Sequence, residues 1–160
     1  MSYPVQLLKW DHTRFRALLN YLQGMTRDPA PRDARELGEL YTLLKPAVQG
    51  RHRAQEETLW QRLREQDQLE ARQRQQLLLM QERLTQLGQE LERKIRSSGG
   101  KGTITSMELS TLTQPFIECF RATMEMEERL FPLLENPCSS SHHRQSRHGI
   151  DLKYRVRPQE

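Results

Sequence analysis

Two ten-residue stretches of the chain share a frame. Residues 51–60 read RHRAQEETLW and residues 122–131 read ATMEMEERLF. In register, His52-x-x-x-Glu56-Glu57-x-Leu59-Trp60 lies over Thr123-x-x-x-Glu127-Glu128-x-Leu130-Phe131. Side chains four apart on a helix stand one above the other on one face, roughly 6 Å apart along the axis. The first copy can therefore offer one ion an imidazole and a carboxylate together. The second keeps the carboxylate but has a threonine hydroxyl in place of the imidazole. Helical bundles build metal sites from facing helices in this way. A single H-x-x-x-E arises on surface helices by chance; the repeated acid–acid–x–Leu–aromatic frame gives this one its weight.

Such a site needs long helices to carry it, and the rest of the chain supplies them. The 160 residues suit one domain, and 35% hydrophobic content is low for a globular chain but enough for helices with one apolar stripe each. Proline at position 4 suits a helix start, and Leu7, Leu8, Phe15, Leu18, Leu19 and Leu22 recur at helical spacing up to Gly24. A second helix is predicted from about Asp33 to about Gln66, kinked at Pro46 and Gly50 just before the QEETLW segment. A polar third helix spans roughly 68–96, with Leu77, Leu78, Leu84, Leu87 and Leu91 on its apolar side. SSGGKGT follows; without the GxxxxGK[ST] spacing or a preceding strand it reads as a connector and not a phosphate loop. Thr105-x-x-Glu108 is a capping box opening a fourth helical segment that Pro115 is expected to divide and that ends near Leu134. No alternating segment in 1–137 argues for a strand. The expectation is all-α: an up-down-up-down four-helix bundle over residues 1–137.

Residues 138–160 differ. They hold five Arg or Lys against two Asp or Glu, so +3 of the chain's net +4 sits there and the basic balance belongs to the tail. CSSSHHRQSRHG reads as a flexible polar stretch, and IDLKYRVR alternates like a strand that could add to a partner's sheet edge. Contact with nucleic acid through these arginines would be modest and salt-sensitive. No apolar run approaches the roughly 20 residues of a membrane span. The N-terminus lacks the pattern of a secretory signal, and two cysteines suggest no disulfide framework, so a cytoplasmic location is expected.

Three stretches, LLKWDHTRFRALLNYL, RHRAQEETLW and MEMEERLFPLL, together resemble the hemerythrin-like, HHE cation-binding family over residues from about 5 to 135. The resemblance implies a non-heme iron site in a four-helix bundle, which in the family is a di-iron centre. It implies dioxygen or nitric oxide as small partners, in a sensing, redox or metal-handling role. Carried over position by position, it assigns His12, His52, Glu56 and Glu127 as metal ligands. Two family histidine positions are changed: the fourth-helix one holds Thr123, and the third-helix one falls on Gln81, with no histidine between His52 and His142.

Charge sizes what is left. Two buried carboxylates balance one divalent ion, and two histidines complete a set that iron or manganese accepts. Two ions would leave an excess of +2, so one ion is favoured over two. The same four side chains also balance with no ion, if both histidines are protonated and paired with the carboxylates. Two functions stay open: a metal-binding protein, or a metal-free bundle acting as a protein-interaction module through its surface and basic tail. An enzyme is not favoured, because no paired nucleophile and base and no cofactor loop occur. Ordinary roles are expected elsewhere. Cys119, Met124 and Met126 should pack, Trp10 and Trp60 should anchor the bundle ends, and Tyr41 should sit in the core. Glu57, Glu128 and the tail histidines 142, 143 and 148 should face solvent.

Overall fold

The computed structural model describes residues 3–67, 69–98 and 102–135. The expectations placed on the tail lie outside them. Five helices make up almost all of the described chain: α1 (Tyr3–Arg27), α2 (Ala34–Gln49), α3 (Arg51–Glu65), α4 (Ala71–Ser97) and α5 (Ser106–Glu135). Two-residue strands β1 (Arg32–Asp33) and β2 (Thr103–Ile104) pair antiparallel. No described helix is long and apolar enough to cross a membrane.

The helices form a ring in which α1 packs on α5, α5 on α4, α4 on α2, and α2 on α1. Cross-links fix their directions. On α1 and α5, Lys9 meets Glu135, Arg16 meets Glu128, and Ser106 bonds Thr26, so the two run antiparallel. Tyr21 reaching Glu36 while Asp11 reaches His52 sets α1 against α2 and α3 in the same sense. Thr85 bonds Val48 and Lys45 bonds Glu92, which reverses α4 relative to α2. Gly88 lets those two approach: a Cβ there would stand 3.0 Å from the Tyr41 hydroxyl and from Val48 Cγ1.

Local chemistry starts and stops the helices as the sequence suggests, with three differences. Asp33 caps α2 by accepting from Arg35 N, and Thr105 and Glu108 exchange the two bonds of a capping box at α5. The first helix runs past Gly24 to Arg27. The fourth segment is one helix, undivided at Pro115. Pro115 and Pro132 both lie on its exposed face, where a carbonyl freed by the missing N–H can turn to water. The β1–β2 bridge ties two loops at one end, and at two residues per strand it is too short to leave a periodic signal.

The interior has two apolar cores. The larger, at the β-bridge end, includes Phe15, Leu19, Tyr41, Leu84, Phe116, Phe120 and Met124. The smaller includes Val5, Leu8, Leu59, Trp60, Leu77, Met126, Leu130 and Phe131, with the Trp60 and Phe131 rings stacked 6.5 Å apart. Between them lies a buried polar layer: His12, His52, Glu56, Gln81, Thr123 and Glu127. A buried ion without compensation costs several kcal/mol, about what two or three fully buried leucines contribute at ~1.5–3 kcal/mol each. The layer therefore has to balance its own charge.

Candidate metal centre

Each helix brings its polar residue between an apolar neighbour from either core. On α1, His12 sits between Leu8 and Phe15, and on α4, Gln81 sits between Leu77 and Leu84. The α2–α3 break sets the other two. Pro46 has no N–H to continue the ladder, and Gly50 closes the turn with its N–H on Pro46 O at 3.0 Å. A Cβ at position 50 would stand 2.7 Å from Pro46 Cα, so the chain bends there only because that residue is glycine. Helix α3 restarts at Arg51 with His52 and Glu56 buried, four apart.

Four ligand atoms, one each from His12, His52, Glu56 and Glu127, lie within 4.8 Å of one another, and all four residues are buried. His52 Nε2 is 2.9 Å from Glu56 Oε1; His12 Nε2 is 3.2 Å from Glu127 Oε2 and 3.8 Å from Glu56 Oε1. Close as they are, His12 Nε2 and Glu56 Oε1 meet no partner with the alignment of a hydrogen bond. Lone pairs converge here on a common region more than donors point at acceptors.

The other face of each imidazole is engaged. His12 Nδ1 lies 2.9 Å from Glu128 Oε1, and His52 Nδ1 lies 2.9 Å from Asp11 Oδ2. Arg16 in turn donates to Glu128 Oε2 at 2.7 Å. An Nδ1–H donated to a carboxylate leaves Nε2 as the free lone pair, the arrangement that presents histidine to a metal. Glu128 thus does not face solvent freely as expected; it is half-buried beneath His12. Asp11 stands out in the sequence only as the acidic neighbour of His12.

The same groups form a self-balanced set without an ion. Burial lowers the His12 pKa, but the carboxylates of Glu127, Glu56 and Glu128 around the ring outweigh it and raise the value to about 9. Burial, with the Glu127 charge beside it, pushes Glu56 well above the ordinary carboxylate range. Burial acts on Glu127 in the same direction, yet His12, Glu56 and Gln81 outweigh it and hold that carboxyl low. Without an ion the set therefore favours charge on His12 and Glu127 and holds a proton on Glu56 more firmly than an ordinary carboxyl would.

The two changed positions face this centre. Gln81 is buried and donates Nε2 to Glu127 Oε1 at 3.2 Å. Thr123 is buried too, its hydroxyl turned back onto Cys119 O at 2.8 Å. A void of about 10 Å³, roughly one water, lies among His52, Glu56, Glu127, Thr123, Phe120 and Leu84. Other residues take quieter places. Glu57 is exposed, Met124 and Met126 pack in the two cores, and half-buried Cys119 has its thiol pKa raised by burial. Tyr41 packs on Phe116 in the larger core, where burial pushes its pKa up to about 12. Trp60 is an anchor as expected; Trp10 is 67% exposed and is not.

The donor set fits a divalent ion. Two imidazole nitrogens and two carboxylate oxygens converge, two of these atoms lack hydrogen-bond partners, and both imidazoles are held from behind. The cluster could hold a metal ion. Comparison with protein-family models, curated proteins and solved structures finds no match for the chain.

Proposed function

We propose that the protein is a hemerythrin-like metal-binding bundle that holds one divalent ion, non-heme iron first among candidates, on His12, His52, Glu56 and Glu127, in a sensing, redox or metal-handling role. One observation carries the reading. Both histidines turn Nε2 inward to the two glutamates while Nδ1 is held by a carboxylate outside the cluster. A metal site uses this outer pair to fix ring orientation and to raise the basicity of the ligand; a salt-bridge remnant would use it too, but would not leave His12 Nε2 and Glu56 Oε1 without an aligned partner. A bound ion would supply Lewis acidity or redox chemistry and a place for a diatomic ligand. The protein's part is to hold the four donors and keep water low; the charge of the ion would draw the proton from Glu56. With four protein ligands, coordination positions stay open for a small molecule.

A metal-free interaction module is the second reading. It is favoured by the internal charge balance and by the Gln81–Glu127 bond, which satisfies a carboxylate oxygen. Elemental analysis of protein purified from cells separates the two. About one equivalent of a transition metal, lost in His52→Ala, supports the proposal. Metal below a tenth of an equivalent, with none taken up on anaerobic incubation with ferrous or manganous salt, ends it.

A further inference from the structure

A second cavity opens on the outside of the His52–Asp11 pair. Its volume is about 320 Å³, and it is lined by Leu7, Asp11, Arg14, Phe15, Pro46, Arg51, His52 and Gln55. It lies between α1 and the start of α3. The proposed metal ligands account for none of this space, since His52 presents only its outer edge there.

The lining is divided in character. Half-buried Leu7 and Pro46 give apolar surface, with the buried Phe15 beneath it. Arg14 and Arg51 give two exposed guanidinium groups, and neither forms an ion pair among the described residues. Arg14 lies over the Phe15 ring, 5.7 Å from its centroid, which places charge beside the apolar surface. The single acid, Asp11, is engaged by His52 Nδ1 at 2.9 Å. Two cations against one anion leave a net of +1.

We propose that this cleft binds a small organic monocarboxylate, its carboxylate at Arg14 and Arg51 and its apolar body on Leu7 and Pro46. Arginines suit a carboxylate because the planar fork donates two parallel hydrogen bonds. The apolar surface disfavours a fully hydrated inorganic anion. Asp11 repels a dianion more than a monoanion, and the net charge of the cleft matches one negative charge. A free metal cation would be repelled by both arginines. The site stands apart from the metal reading and survives if the central cluster holds no ion.

Calorimetric titration of the full chain at low ionic strength tests it, with sodium benzoate, benzamide and inorganic phosphate as probes. Benzoate should bind with 1:1 stoichiometry, and benzamide and phosphate should each bind about tenfold or more weakly. Arg14→Gln with Arg51→Gln should remove the preference for benzoate over benzamide; both side chains are exposed, so the fold is kept. Equal binding of benzoate and benzamide by the unaltered protein overturns the proposal. So does benzoate affinity unchanged in the double variant, which would place the acid elsewhere, the central cluster included. Phosphate binding as tightly as benzoate refutes the role of the apolar surface.

Discussion

Asp11 Oδ2 stands 2.9 Å from His52 Nδ1, while the next residue in the chain, His12, sends its own Nδ1 2.9 Å to Glu128 Oε1. Neighbours on α1 thus play opposite parts: one orients a histidine of α3, the other is a histidine oriented from α5. Glu127 and Glu128 repeat the division on α5, the first facing the cluster and the second supporting it from behind. The three helices are locked to one another through the outer partners as much as through the inner ones.

Removing an outer partner should therefore loosen the metal without unfolding the bundle. Asp11→Ala and Glu128→Ala are each expected to weaken metal affinity about 10–100-fold. Competition with a calibrated chelator measures it, with circular dichroism confirming helix content. Unchanged affinity in both variants would show that the two carboxylates only fill space.

How much of this was legible follows from the physics of each feature. Helical periodicity and caps are local, so the helices and the Gly50 break could be read directly. Of the four inward donors, His52 and Glu56 were legible from their spacing of four on one helix face, while His12 and Glu127 were assigned by the resemblance to the hemerythrin-like family, because a ligand on another helix leaves no local spacing signal. Asp11 and Glu128 were not legible, because a supporting carboxylate belongs to a neighbouring helix and its partner depends on the rotation of two helices. The adjacent pairs Asp11–His12 and Glu127–Glu128 were the available signal. Pro115 misled because a proline on the solvent face of a long packed helix leaves its freed carbonyl to water, which breaks nothing.

The pH response separates the two charge states of the centre. In the metal-free protein the folded His12 pKa of about 9 lies above the ordinary 6.5. Its contribution is then complete below pH 6.5 and is lost as pH rises through 9. The raised Glu56 acts in the same direction, since folding favours its protonated form and stability falls as pH climbs from its ordinary value toward the raised one. Metal loading must displace protons from these groups, so affinity for the ion should rise over the same span. Chelator-treated protein should melt lower at pH 9 than at pH 6.5, and added metal should offset the loss. Parallel melting temperatures with and without metal across that range would contradict it.

Gly50 is expected to be intolerant of a side chain. A Cβ placed 2.7 Å from Pro46 Cα must push backbone, not a flexible tip. Gly50→Ala should cost about 1–3 kcal/mol. It should also lower metal affinity, because α3 carries His52 and Glu56 immediately after the break. Gly24→Ala, where the added atom meets nothing within 4 Å, is the control and should be neutral or slightly stabilising. A Gly50→Ala variant as stable as the control would mean that the α2–α3 junction is free to straighten.

The last expectation concerns the two changed positions. Gln81 already donates to Glu127, and Thr123 lines the void beside His52, Glu56 and Glu127, so both address the cluster. Histidines there would offer two further neutral ligands and bring no new charge once metallated. Thr123→His combined with Gln81→His should raise metal content from about one toward two ions per chain. The void of about 10 Å³ is far smaller than an imidazole, so Phe120, Met124 or Leu84 must shift, and overpacking should cost about 1–3 kcal/mol. Elemental analysis and a thermal melt on the same sample read both effects. A folded double variant whose metal content does not rise would show that a second ion needs more than these imidazoles, and that the single-ion charge balance of His12, His52, Glu56 and Glu127 is built into the layer itself.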